Sequence, residues 1–132
     1  MPVALLLLVL LLAVMTRLSG LAEGFWIDEV ISADTAAMGL GELLARSGLA
    51  DVHPPGYYVG LKVWALIFGS SDLAARLFTL LISVGTVWLL MAYTSARFGR
   101  LSSLVAGLAL ALSPLHAHYG VEVRSYSLLA GL

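Results

Sequence analysis

Residues 55–68 read Pro-Gly-Tyr-Tyr-Val-Gly-Leu-Lys-Val-Trp-Ala-Leu-Ile-Phe, and whether they cross a membrane decides the topology of everything around them. The run is apolar and helix-forming, and Pro54-Pro55 sets it up: the pair forces an extended approach and then permits a helix to start. It contains Lys62, however, and at about 15 residues it falls short of the roughly 20 needed to cross a hydrocarbon core. By length it is a helix on the membrane surface. That reading joins it to the polar stretch on its N-terminal side.

Working outward, Leu73 to Tyr93 is a better spanning run, with Arg76 just inside one end and Arg97-Phe98-Gly99-Arg100 closing the other. Leu101 to Leu115, extending to about Tyr119, gives the next, and another apolar run begins near residue 125. Upstream, residues 3 to 15 are unbroken apolar and continue less strictly to about residue 22, enough for one tilted span in which Arg17 snorkels. The competing expectation is a cleavable leader, but the start lacks the basic charge of one and no clean small-x-small cleavage site follows. The expected architecture is an all-α, polytopic transmembrane bundle with spans at about 3–22, 73–95 and 101–119, and a large external loop at 23–72. Because the chain stops inside an apolar run, it is expected to be the N-terminal part of a larger protein.

Composition agrees. The 132 residues are 61% hydrophobic and 11% charged, with a mean hydropathy of +0.99, well outside the range of soluble domains. With no cysteine and a net charge of -1, a disulfide framework, a thiolate metal site and a phosphate-neutralising nucleic-acid surface are all excluded. Seven of the eight acidic residues lie between Glu23 and Asp72. Within that loop, Glu29 to Arg46 has helical apolar periodicity, with Asp28 as a candidate N-cap and Gly48 as a C-terminal cap. The loop and the polar segment Gly120 to Tyr126 are separated by two spans, so they face the same side. The arginine count does not fix which side, since Arg97 and Arg100 oppose Arg17, Arg46, Lys62 and Arg76.

Ionisable groups at a membrane face are costly, which makes them functional candidates. Asp28 and Glu29 are adjacent, so on a helix they diverge by about 100° and do not serve one ligand equally. Either one is catalytic and the other supporting, or both serve the helix terminus. Trp26 beside them is an interfacial anchor or the wall of a sugar site. His53 could take a proton, a phosphate or a metal. Arg76 and Arg124 are natural forks for a phosphate, or snorkel to headgroups, and with Glu122 and Tyr126 they form a polar constellation. His116 and His118, two apart and on different helical faces, read as interfacial. No glycine-rich nucleotide cradle, G-x-S-x-G elbow or HExxH pattern is present.

Taken in order, Trp26-Ile-Asp28-Glu29, His53-Pro-Pro-Gly-Tyr57-Tyr58, Ser71-Asp72-Leu-Ala-Ala-Arg76-Leu, Phe98-Gly99-Arg100, Leu112-Ser-Pro-Leu-His116 and Val121-Glu122-Val-Arg124-Ser-Tyr126 resemble the GT-C membrane glycosyltransferases of the protein O-mannosyltransferase and aminoarabinose-transferase type. The resemblance implies a multi-pass enzyme of a cell membrane, expected to be a bacterial inner membrane. Its active face would be external or periplasmic, and its first loop would carry surface helices. It also implies inverting transfer of a sugar from a polyprenyl-phosphate donor to a lipid, glycan or protein acceptor. Asp28 matches the family's catalytic acid, with Glu29 beside it. Trp26, His53, Tyr57, Arg76, Glu122, Arg124 and Tyr126 fall at substrate-facing motif positions. Some members use a divalent cation and others do not. The chain departs from the family's commonest form at Gly120-Val121, where relatives carry Ser-Gln. The rival expectation is a transporter or flippase of a lipid-linked or anionic solute, which would place its charges nearer the membrane midplane on broken helices.

Overall fold

In the computed structural model, which describes residues 2–49 and 54–131, the chain is helical, with no strand among those residues. The elements are α1 (Val3–Met15), a 3-10 turn (Leu18–Ala22), α2 (Ile27–Ala37), α3 (Leu40–Leu49), α4 (Pro55–Phe68), α5 (Asp72–Phe98), α6 (Arg100–Ala111), α7 (Pro114–Tyr119) and α8 (Tyr126–Gly131). Ser71 starts α5 by accepting a hydrogen bond from the Ala74 N–H at 3.2 Å. Gly69 at φ 89° and Gly99 at φ 88° provide the left-handed turns on either side of it. At 27 residues, α5 is the one helix among those described that is long and apolar enough to cross a membrane.

α5 is the axis of the fold, packing on α1, α4, α6 and α8 and on the 3-10 turn. Two cores lie along it. Near its start, Ala75 joins Ala36, Leu43, Tyr57, Tyr58, Leu61 and Val123. Farther along, Val87 and Met91 pack with Val9, Ala13 and Ala111 from α1 and α6. Polar groups inside these layers are satisfied locally, as buried hydroxyls must be. Tyr57 Oη pairs with Thr79 Oγ1 at 2.9 Å, and Ser103 Oγ donates to the Met91 carbonyl at 2.7 Å.

Several sequence expectations are corrected. α1 ends at Met15 instead of running on to residue 22, because the next two side chains fold back onto backbone carbonyls. Thr16 Oγ1 donates to Ala13 O and Ala111 O, both at 3.1 Å. Arg17 does not snorkel: it is 1% exposed, with its guanidinium on Ala13 O, Ala111 O, Ser83 Oγ and His116 Nδ1. The single surface helix expected over 29–46 is two helices, broken at Met38-Gly39. There Lys62 of α4 reaches across to cap α2, donating to Met38 O at 2.7 Å and Ala36 O at 3.3 Å. Gly48 lies inside the last turn of α3 and is not its cap. The apolar stretch 101–119 is likewise two helices, since Ser113 caps a new start by accepting from His116 N–H at 3.3 Å and Pro114 opens α7.

α6 packs tightly on α5 at Gly107, where an added Cβ would lie 2.5 Å from Met91 Sδ and 2.6 Å from its Cγ. Gly107→Ile should therefore lower unfolding free energy by about 1–3 kcal/mol, and adding Met91→Ala should recover part of that loss. Thermal unfolding of the full chain in detergent measures both.

Candidate active site

The site is built on an interior ion pair. Asp28 does not cap α2, as the sequence suggested. The helix starts two residues earlier, at Ile27 after Trp26, so Asp28 and Glu29 both fall in its first turn. Glu29 turns inward and is fully buried, its Oε2 2.7 Å from Arg76 Nη2. The same oxygen accepts from the Trp26 N–H at 3.2 Å, and Oε1 accepts from the Val123 N–H at 2.9 Å. Arg76 also donates to Gly20 O and Gly24 O, both at 3.0 Å. One carboxylate and one guanidinium thus tie together α2, α5, the segment leading out of α1 and the 120–125 turn. A buried charge pair is tolerable only when most of its polar atoms are hydrogen-bonded, as here, where Arg76 Nε is left without a partner among the described residues.

The roughly 100° between successive helical residues turns Asp28 the other way. Its side chain is 37% exposed and lies 3.4 Å from Arg124 Nη2. Arg124 itself sits over the Tyr126 ring at 5.9 Å, and Tyr126 packs edge-on against Tyr119 at 5.0 Å. The two acidic segments that the sequence places on one face therefore meet directly.

Beside this pair opens a cavity of about 640 Å³ lined by Arg17, Trp26, Glu29, Arg76, His118 and Glu122, with Glu23 among the residues around it. Glu122 is 5% exposed, and its buried Oε2 makes no hydrogen bond among the described residues. Burial pushes this carboxyl above the usual carboxylate range. Nearby Glu29 adds to the effect, His118 and Arg124 oppose it, and Asp28 adds a little more. Such a group in a cleft is a recognised mark of function.

The structure brings Trp26, Glu29, Arg76 and Glu122 to the cavity wall and sets Asp28, Arg124 and Tyr126 beside it. Tyr57 is elsewhere, buried in the core with its hydroxyl on Thr79. His53 lies outside the described residues. Sequence reasoning missed Arg17 and His118. Their signals were present: an arginine inside an apolar run, and a histidine pair whose two faces differ. His116 faces Arg17, and His118 faces the cavity. Among the described residues, no group of three or more His, Asp or Glu is placed to hold a metal ion.

A helical chain with an apolar axis, and a polar cavity at one end of it ringed by carboxylates and arginines, has the general form of a membrane enzyme. Residues 52–130 match the dolichyl-phosphate-mannose-protein mannosyltransferase family, and the chain belongs to that family. This is a glycosyltransferase family of integral membrane proteins. No curated protein and no solved structure matches the chain.

Arg76→Met strands Glu29 without its counter-charge and should cost about 3–5 kcal/mol of stability. Combined with Glu29→Gln the loss should shrink, as unfolding in detergent will read. For Glu122, the folded-state value lies above the unfolded one. The stability contributed by its neutral form is therefore fully present below the unfolded value and is lost as pH rises through the folded one. Glu122→Gln stays neutral throughout. It should match the native chain below about pH 4.3, the ordinary Glu value, and become the more stable of the two as pH rises; unfolding midpoints across pH test this.

Proposed function

We propose that the chain carries the catalytic end of an enzyme that moves a sugar from a polyprenyl-phosphate donor to a hydroxyl on a lipid, glycan or protein, with inversion, at the external membrane face. The observation that carries this reading is the Asp28–Arg124 pair. In a chain of this family it is a half-exposed carboxylate held 3.4 Å from a guanidinium where the first loop meets the 120–125 turn.

Inverting transfer needs a base for the acceptor hydroxyl and a cation for the departing phosphate, placed on opposite sides of the anomeric carbon. Asp28 takes the hydroxyl proton as the acceptor oxygen bonds to that carbon. The carbon–oxygen bond to phosphate breaks, and polyprenyl phosphate leaves with the electron pair. Arg124 receives the phosphate charge. Because one guanidinium serves both Asp28 and the phosphate, the pair belongs to the resting state, and donor entry draws Arg124 off Asp28 and frees the base. Arg76 acts differently: with its terminal nitrogens on Glu29, Gly20 and Gly24, it fixes the backbone from which Asp28 projects. The apolar flank of α5 suits the polyprenyl tail.

The test is sugar transfer by the full chain in membranes, from a panel of polyprenyl-phosphate sugars. Asp28→Asn should lower kcat by about 10²–10⁴-fold, the range of a general base, while Arg124→Ala should raise KM for the donor. A fully active Asp28→Asn variant overturns the assignment.

A further inference from the structure

Arg17 takes no part in the Asp28–Arg124 chemistry, yet it is a full charge buried at 1% exposure. All of its guanidinium nitrogens are engaged, and by neutral groups. Nε donates to Ser83 Oγ of α5 at 2.9 Å. Nη1 donates to Ala13 O of α1 at 2.6 Å, to Thr16 Oγ1 at 2.9 Å and to Ala111 O of α6 at 3.3 Å. Nη2 meets His116 Nδ1 of α7. Arginine has donors only, so that ring nitrogen accepts and the imidazole is neutral. Among the described residues no carboxylate forms an ion pair with Arg17. A cation buried without a counter-charge is costly to keep, and in a membrane protein such a residue is by default a functional one.

What Arg17 supports is the 120–125 turn. Gly120 is buried against it: a Cβ there would lie 2.8 Å from Arg17 Nε and 2.6 Å from the His116 carbonyl. Farther along the turn, the Val123 N–H donates to Glu29 Oε1 at 2.9 Å. The turn is thus gripped at two points, Gly120 on the Arg17 cluster and Val123 on the Glu29–Arg76 pair, and Arg124 follows directly after the second. The two grips are themselves linked, since the Gly20 N–H donates to the Arg17 carbonyl at 3.2 Å and the Gly20 carbonyl accepts from Arg76 at 3.0 Å. We propose that Arg17 is a positioning residue for the transfer site: its guanidinium fork, fixed across α1, α5, α6 and α7, seats Gly120 and so sets where Arg124 stands relative to Asp28 and the donor phosphate. This rests on the glycosyl-transfer reading above and adds to it a residue that acts through another. Although Arg17 forms part of the cavity wall, its nitrogens are committed to protein acceptors, so its effect passes through the turn. The fork matters more than the charge. A lysine brings the same charge on a single nitrogen, which cannot hold Ser83, Ala111 and His116 together in the arginine geometry.

Steady-state transfer by the full chain in membranes, with the polyprenyl-phosphate sugar that the native protein uses, tests this in a double-mutant cycle with Arg124→Ala. Arg17→Met should raise KM for the donor about tenfold, within the roughly 100-fold that a misplacement of about 1 Å costs, and Arg17→Lys should restore little of it. Beside Arg124→Ala, the same substitutions should leave KM at the value of Arg124→Ala alone, because residues that act through one another are not additive, whereas independent effects add. Ser83→Ala removes only the acceptor of Arg17 Nε and should raise KM about threefold, again with no further rise beside Arg124→Ala. It decides the matter if Arg17→Met does not fold. A native donor KM in Arg17→Lys or in Ser83→Ala, or a rise that adds to that of Arg124→Ala, overturns the positioning role and leaves the transfer reading standing. Absence of transfer from every donor by the native protein overturns the transfer reading itself, and the positioning role with it.

Discussion

Everything at the polar end of this molecule hangs on the contact between Glu29 and Arg76. Neither charge would be stable alone in that position, because burial of an uncompensated carboxylate or guanidinium costs several kcal/mol. Their 2.7 Å pairing offsets that penalty with the help of Trp26 and Val123, which donate to the carboxylate, and Gly20 and Gly24, which accept from the terminal guanidinium nitrogens. The pair therefore forms only when four separate chain segments have arrived. That makes it a constraint on assembly: the first turn of α2 and the 120–125 turn take up their mutual position when α5 is already in place between them.

The consequence for chemistry is a division of labour between neighbours. Helical geometry points Asp28 and Glu29 in directions about 100° apart. With Glu29 locked inside, Asp28 has to face outward, half exposed, toward Arg124. A rigid backbone is thereby given to a side chain that stays free to move, which is what preorganised acid–base chemistry asks of its scaffold. The two arginines then differ in kind: Arg76 makes three hydrogen bonds through its terminal nitrogens, whereas Arg124 is held to Asp28 by a single, longer contact.

Much of this was readable from local signals. The long helix Asp72–Phe98 is visible in the apolar run Leu73 to Tyr93, and the helix α4 in the apolar run that follows Pro54-Pro55. The all-helical class and the family follow from motifs in order along the chain. The motifs also placed Trp26, Glu122 and Arg124 at one end, where the structure puts them. Other features were visible but passed over: Ser113-Pro114 is a helix start, and it divides α6 from α7. What no local pattern carries is partnership. Arg76 and Glu29 are 47 positions apart, and a sequence states that each is charged without stating that they neutralise one another. The break between α2 and α3 is similar, because the group that caps it, Lys62, arrives from α4. Tyr57 is the converse case, since the resemblance set it among substrate-facing residues and the structure buries it with its hydroxyl on Thr79.

Gly120 lies so close to its neighbours that a Cβ there would run into Ser83 Oγ, approach the His116 carbonyl to 2.6 Å and meet Arg17 Nε at 2.8 Å, while a Cβ on Gly20 would reach 2.5 Å from Val121. Gly120-Val121, where the resemblance leads one to expect Ser-Gln, is thus one face of a matched set that includes Arg17, Gly20 and Ser83. Such positions are expected to change together across lineages. A relative's Ser-Gln grafted alone into this turn would be a foreign part, whereas the same graft accompanied by changes at 17, 20 and 83 would follow a route that evolution could take in either direction.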